Sequence, residues 1–222
     1  KRVLDNRPDD VLPTLMRENR VDMSSVIARE YNEDPVFHSL VPNPRFTARS
    51  TTMLVFFDRG DAGVGRLTVS RYPLGDMYEP AWEGGDLNAQ WQRLAEVIAE
   101  RDPQTIAVNT SDTWPVADGI SHSLYSKLAT SLSPELQTRL QSSERLVVRW
   151  METRTEGEVE VWQRAAATAR ETVARAFSSA VIPPRVTTAG HAPCFILTHI
   201  AHEELEPSFP PHVKRLWDTA AF

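Results

Sequence analysis

Five consecutive apolar residues, Met53-Leu-Val-Phe-Phe57, constrain the fold of this chain more than any other segment. The run has the length of a strand and is rich in aromatic residues. Asp58-Arg-Gly-Asp-Ala-Gly63 follows it as a turn cluster, and Leu67 and Val69 then alternate with polar neighbours. Two extended runs joined by such a turn predict a β-hairpin.

The rest of the chain alternates between helical and extended patterns. Val11, Leu12, Leu15 and Met16 share one helical face that ends near Asn19, and Val26–Ala28 is a short strand candidate. Trp91, Leu94, Val97 and Ile98 mark a helix that stops before Pro103. Thr105–Asn109 reads as a strand, and Leu124, Leu128 and Leu132 as a helix. Ser133-Pro134 has the form of an N-cap followed by a first helical residue. Arg145-Leu-Val-Val-Arg149 reads as the last strand. A hairpin combined with helical crossovers predicts an α/β domain with a mixed sheet and flanking helices.

Thr155-Glu-Gly-Glu158 is a capping-box pattern. Behind it Val159, Trp162, Ala166, Ala169, Val173 and Phe177 form one apolar stripe on a long helix. Burying a Val or Phe is worth about 1.5–3 kcal/mol. The stripe is therefore expected to be covered, by Phe195, Ile196, Leu197 and Ile200 of the tail or by a second copy in a homodimer. After Pro184 the periodicity weakens, and the tail reads as short elements joined by turns.

Size and charge exclude several classes. At about 150 residues per domain, 222 residues make one large domain, or one domain and part of another. The net charge of −6 argues against a nucleic-acid surface, which needs clustered excess Lys and Arg. No apolar run approaches the roughly 18 residues of a membrane span. One cysteine, Cys194, rules out an intrachain disulfide, and no base lies near it to activate the thiol. No signal-peptide pattern opens the chain at Lys1, so a cytoplasmic protein and an exported one with its leader removed both fit.

Four motifs invite a chemical reading. His199-Ile-Ala-His202 with Glu203 or Cys194 is the one metal-like cluster, and its spacing departs from the zinc-protease pattern. Ser111, Asp112, Asp118, Ser121 and His122 contain the residue types of a hydrolytic triad, but caps and turns explain them better. Asn109-Thr110-Ser111 fits a glycosylation acceptor, a motif short enough to arise by chance. Gly60, Gly63 and Gly65 lack the nucleotide-binding spacing and fit the hairpin.

Several longer blocks carry a resemblance. They are Met16-Arg-Glu-Asn-Arg-Val-Asp-Met23, Val26-Ile-Ala-Arg-Glu-Tyr-Asn-Glu-Asp-Pro35, Thr52-Met-Leu-Val-Phe-Phe-Asp58 and Val69-Ser-Arg-Tyr72. Asn109-Thr-Ser-Asp112, Ala117-Asp-Gly-Ile-Ser-His-Ser-Leu-Tyr125, Ser143-Glu-Arg-Leu-Val-Val-Arg-Trp150 and Glu152-Thr-Arg-Thr155 continue it, and it fades after Val186-Thr-Thr188. With these blocks the chain resembles bacterial Xaa-Pro aminopeptidase and prolidase-like proteins of the creatinase superfamily.

The resemblance implies a non-catalytic, ribonuclease-H-like N-terminal domain over residues 1–148. It also implies the start of a pita-bread catalytic domain over 149–222, with Glu152–Ala180 as its first helix. That catalytic domain holds two divalent metals through two Asp, one His and two Glu, and a bridging water attacks the peptide bond. Here Asp218 is the one Asp after Asp118. Two carboxylate ligands of that type cannot come from a single residue, and a hard divalent ion needs several anionic oxygens. The chain is thus expected to hold no metal cofactor and to be inactive as a peptidase by itself.

In the family the N-terminal domain helps to form a dimer and approaches the partner's active site. The loop after the first strand is then the expected interface or gating element, through Arg29, Glu30, Tyr31, Asn32 and Asp34. An intraloop salt-bridge network that merely holds the strand end is the competing reading. The function expected is assembly or substrate gating for a metal-dependent Xaa-Pro peptidase, with peptide substrate engaged only where a catalytic domain is supplied. A stand-alone scaffold derived from a peptidase, and an enzyme that uses the histidine-rich tail, are the alternatives.

Overall fold

A computed structural model of the chain describes residues 7–42 and 47–176. The chain divides into two compact units, Lys1–Thr155 and Glu156–Phe222. The first contains a six-stranded mixed sheet. Its strands are β1 (Met23–Arg29), β2 (Thr51–Asp58), β3 (Val64–Ser70), β4 (Glu79–Pro80), β5 (Ile106–Val108) and β6 (Leu140–Ser142). The spatial order is β4-β3-β2-β1-β5-β6. β2 runs antiparallel to both β1 and β3, whereas β1, β5 and β6 are mutually parallel.

The expected hairpin is β2–β3, with Phe57 opposite Gly65. A Cβ on Gly65 would lie 2.2 Å from the Phe57 ring, so glycine leaves room for that ring. The turn cluster becomes a single 3-10 turn, Gly60–Ala62. Its entry is held by Arg17, whose guanidinium donates to both Asp58 oxygens at 2.9 Å. That hydrogen bonding keeps the Asp58 carboxyl below its ordinary pKa.

Met53–Phe57 shows no polar alternation because both sheet faces are covered. On one face lie α1 (Leu12–Glu18), α2 (Pro35–Leu40) and α6 (Glu144–Glu152). Leu15 and Met16, Phe37, and Leu146, Val147 and Trp150 of these helices bury Val26, Ala28, Leu54 and Phe56. The opposite face carries α3 (Leu87–Ala99), α4 (His122–Ser131) and α5 (Pro134–Gln137). There Trp91, Leu94, Ile98, Leu124 and Leu128 pack on Ile27, Met53, Val55, Val69 and Ile106. Successive strand residues point to opposite faces, and the two clusters divide along that alternation.

Polar groups fix the helices over the sheet. Asp86 caps α3 by accepting the Ala89 N–H at 2.8 Å. The buried Gln90 amide donates to the Thr51 and Val69 carbonyls at 2.9 and 2.8 Å, so α3 is tied to the ends of β2 and β3. Ser133 caps α5 with Pro134 in its first turn, as the sequence pattern predicts. The Tyr78 hydroxyl donates to the Leu40 carbonyl at 2.7 Å, and its burial raises the phenol pKa.

Arg145–Arg149 is not a strand. It lies inside α6, where Leu146, Val147 and Trp150 recur at helical spacing and face the core. The five-residue window hides this period, because it excludes Trp150, the residue that separates helix from strand. The last strand among the described residues is instead the mostly polar Leu140–Ser142, paired with β5.

In the second unit α7 spans Glu156–Ala176. Its stripe is unevenly covered: Val173 is buried, whereas Val159 is 42% and Trp162 64% exposed. Phe177, the proposed tail cover Phe195–Ile200, Cys194, His199 and His202 lie outside the described residues. Among the described residues no helix is long and apolar enough to cross a membrane.

Candidate functional site

In open α/β sheets ligands commonly bind beyond the carboxyl ends of parallel strands, where neighbouring connections diverge. Here that place lies beyond β1 and β5. The chain leaves β1 through Arg29–Asp34, and leaves β5 through Asn109–Ser121. The expected interface loop therefore stands at the position where the fold offers a site.

The crevice itself is filled by the protein. Asp34 caps α2 by accepting the Phe37 N–H at 2.6 Å, and its other oxygen accepts the Asn109 amide at 2.9 Å. The Asn109 carbonyl oxygen accepts the Ser143 hydroxyl at 2.9 Å. All three side chains are buried. Gly119 presses on this chain of bonds so closely that an added Cβ would lie 1.9 Å from Asp34 Oδ2. A buried carboxylate is tolerated only with such partners. The plug thus links the ends of β1, β5 and β6.

The loop around Asp34 is held from several sides. Glu30 exchanges bonds with Ser50: its N–H donates to the Ser50 carbonyl at 2.7 Å, and its carboxylate accepts the Ser50 N–H at 3.1 Å. Glu33 accepts the Ala48 N–H at 2.8 Å. The Asn32 N–H closes a tight turn on the Arg29 carbonyl at 2.8 Å. Both carboxylates, Glu30 and Glu33, thus accept from backbone N–H groups. Among the described residues no ion pair lies within 29–34, so hydrogen bonds stand where the competing reading placed a salt-bridge network.

One side chain stands apart from this support. Tyr31 has φ 67° and is 94% exposed. Arg29, Glu30 and Asn32 are also exposed, whereas Asp34 is internal. Of the five residues singled out in the sequence, four thus reach the surface and one builds the plug.

The other motifs resolve into structural roles. Ser121 caps α4 by accepting the Leu124 N–H. The Ser111 hydroxyl donates to Glu144, and the Ser111 N–H donates to Asp118 at 3.3 Å. His122 meets Ser126 one helical turn away. None of these pairs a nucleophile with a base in the order a triad needs. Asn109 is buried within the plug, which removes its amide from a glycosylation role. Among the described residues no three His, Cys, Asp or Glu side chains are grouped to hold a metal ion.

Sequence reasoning missed a second surface feature, the groove bordered by Arg20 and Arg145. Its one signal is an arginine directly after Asn19, where a helix ends. Comparison with family models, curated proteins and solved structures finds no match to this chain.

Proposed function

We propose that the first unit is a non-catalytic assembly module, similar to the N-terminal domain of Xaa-Pro aminopeptidases and prolidases. It joins a second copy of the chain through the loop at Arg29–Asn32, and would gate peptide substrate where a metal-dependent catalytic domain is present. The mixed sheet with helices on both faces supports this reading at the level of architecture. A ribonuclease-H-like shape is the finer form that we assign to it. The single Asp after Asp118 supports the non-catalytic part, because the cage the resemblance implies needs two.

Tyr31 is the observation that carries the proposal. A non-glycine residue in the left-handed region costs about 1–3 kcal/mol and persists where its surroundings impose it. Here the loop on either side is pinned, yet the ring contacts almost nothing. An aromatic carried on a backbone fixed in advance loses no loop entropy on binding, and Tyr is among the residues that dominate interface energies.

Sedimentation or light scattering on the full chain and on Tyr31→Ala tests this. The parent should dimerise. The variant should dissociate about 30-fold more readily, the equivalent of losing about 2 kcal/mol at a hot spot, with the folded structure of the monomer unchanged by circular dichroism. A parent that stays monomeric, or a variant that dimerises as well as the parent, would overturn it. The open Val159 and Trp162 of α7 favour a second reading, a stand-alone scaffold that engages a partner through that helix.

A further inference from the structure

We infer that the outer edge of β6 and the groove beside it bind an extended peptide segment that carries one acidic side chain. This inference is independent of the assembly role proposed for the Tyr31 loop. Among the described residues β6 is an edge strand, paired on one side only. The Ile106 N–H donates to the Arg139 carbonyl, and the Ser143 N–H donates to the Val108 carbonyl. In a parallel ladder this register turns the backbone groups of Gln141 toward β5. Those of Leu140 and Ser142 then face outward, two N–H groups and two carbonyls in the spacing that a further strand would use.

A groove of about 590 Å³ adjoins this edge. It is bordered by the turn Glu18–Val21 that ends α1, by Gln141 and Ser142 of β6, and by the first turn of α6. Arg20 and Arg145 line it, both are exposed, and neither makes an ion pair or side-chain hydrogen bond among the described residues. A guanidinium offers a fork of donors that matches a carboxylate. Glu18 and Glu144 lie in the same groove, and Glu144 accepts the Ser111 hydroxyl. Their charge disfavours a polyanion and favours a segment with one carboxylate placed at the arginines.

Arg20 adds a second argument. The Val21 N–H donates to the Met16 carbonyl at 2.9 Å and the Arg20 N–H to the Arg17 carbonyl at 3.1 Å. This is a Schellman cap, in which the residue in the left-handed conformation is usually glycine. Here it is Arg20, with φ 54°. The fold thus carries a strained arginine at the groove where glycine would be easier.

The test uses the 222-residue chain and two blocked pentapeptides, acetyl-Thr-Val-Glu-Val-Thr-amide and its counterpart with Gln in place of Glu. In ¹⁵N NMR titrations the Leu140 and Ser142 amides should shift, and their hydrogen exchange should slow. The Gln peptide should bind about tenfold more weakly, the loss expected for one charge-assisted contact. Arg20→Gly and Arg145→Gln should each weaken the Glu peptide by a similar factor. Arg20→Gly should do so while melting at or above the parent temperature, which separates binding from folding. Unmoved Leu140 and Ser142 amides at millimolar peptide, equal affinity for the two peptides, or undiminished binding by Arg20→Gly would each overturn the inference.

Discussion

Trp150→Ala should destabilise the first unit by about 3–5 kcal/mol, the range for removing a buried Trp from a core. The indole is buried, its N–H donates to the Ser39 hydroxyl at 2.8 Å, and the Arg7 guanidinium lies 4.1 Å from its ring centroid. Arg7 also donates to the Trp150 and Thr153 carbonyls. One side chain therefore joins α6, α2 and the segment before α1. Truncation would leave a cavity and strip the Ser39 hydroxyl and Arg7 of a partner. In thermal unfolding the midpoint should fall by about 10 °C or more, given a few degrees per kcal/mol for a unit of this size. Trp162→Ala is the internal control: its ring is 64% exposed, and surface changes usually stay within about 0.5 kcal/mol. Equal effects of the two substitutions would contradict the packing described for α6. The same contacts lie within the compact unit that runs to Thr155.

Gly119→Ala should cost about 3 kcal/mol, through the plug rather than through backbone strain. The new Cβ would stand 1.9 Å from Asp34 Oδ2 and 2.4 Å from its Cγ. Either the loop at 119 or the Asp34 carboxylate must move. Overpacking alone costs about 1–3 kcal/mol, and unpairing the Asn109 amide or the Phe37 N–H adds about 1–3 kcal/mol for a buried group left unsatisfied. The Phe57 ring at Gly65 is closer to solvent and can swing aside, so Gly65→Ala should be milder. Denaturant unfolding measures the stability, and amide exchange at Phe37 reports the lost cap. A Gly119→Ala protein with parental stability and an unchanged Phe37 amide would show that the plug does not pack as described.

The legible parts of the fold are those with a period or a cap. The β2–β3 hairpin, the α3 stripe from Trp91 to Ile98 and the Ser133-Pro134 helix start all stand where their residues predict. The errors share a cause. Arg145–Arg149 looks extended because Val147 and Val148 favour strands, yet the preference of two valines is small beside the burial of Leu146, Val147 and Trp150 on the sheet. Leu140–Ser142 has no strand pattern at all, since an edge strand of three residues needs only its register with β5.

The candidate site was legible as a loop but not as a mechanism. Charge at Glu30, Glu33 and Asp34 suggested ion pairs, whereas each carboxylate instead accepts from a backbone N–H, two of them supplied from Ala48 and Ser50 across the sheet end. No local pattern announces that Asn109, Gly119 and Ser143 converge on Asp34, because that contact depends on the parallel pairing of β1, β5 and β6. Tyr31 was visible as a residue, and only its backbone conformation and exposure separate it from its neighbours.

A peptidase assay decides whether this chain by itself hydrolyses an Xaa-Pro bond. The full chain, purified and supplied with Mn²⁺ or Co²⁺, is offered Xaa-Pro dipeptides with and without a chelator. No chelator-sensitive release of proline is expected, because this chain has one Asp beyond residue 118 where the implied cage needs two. Sustained turnover that disappears with the chelator would contradict that expectation.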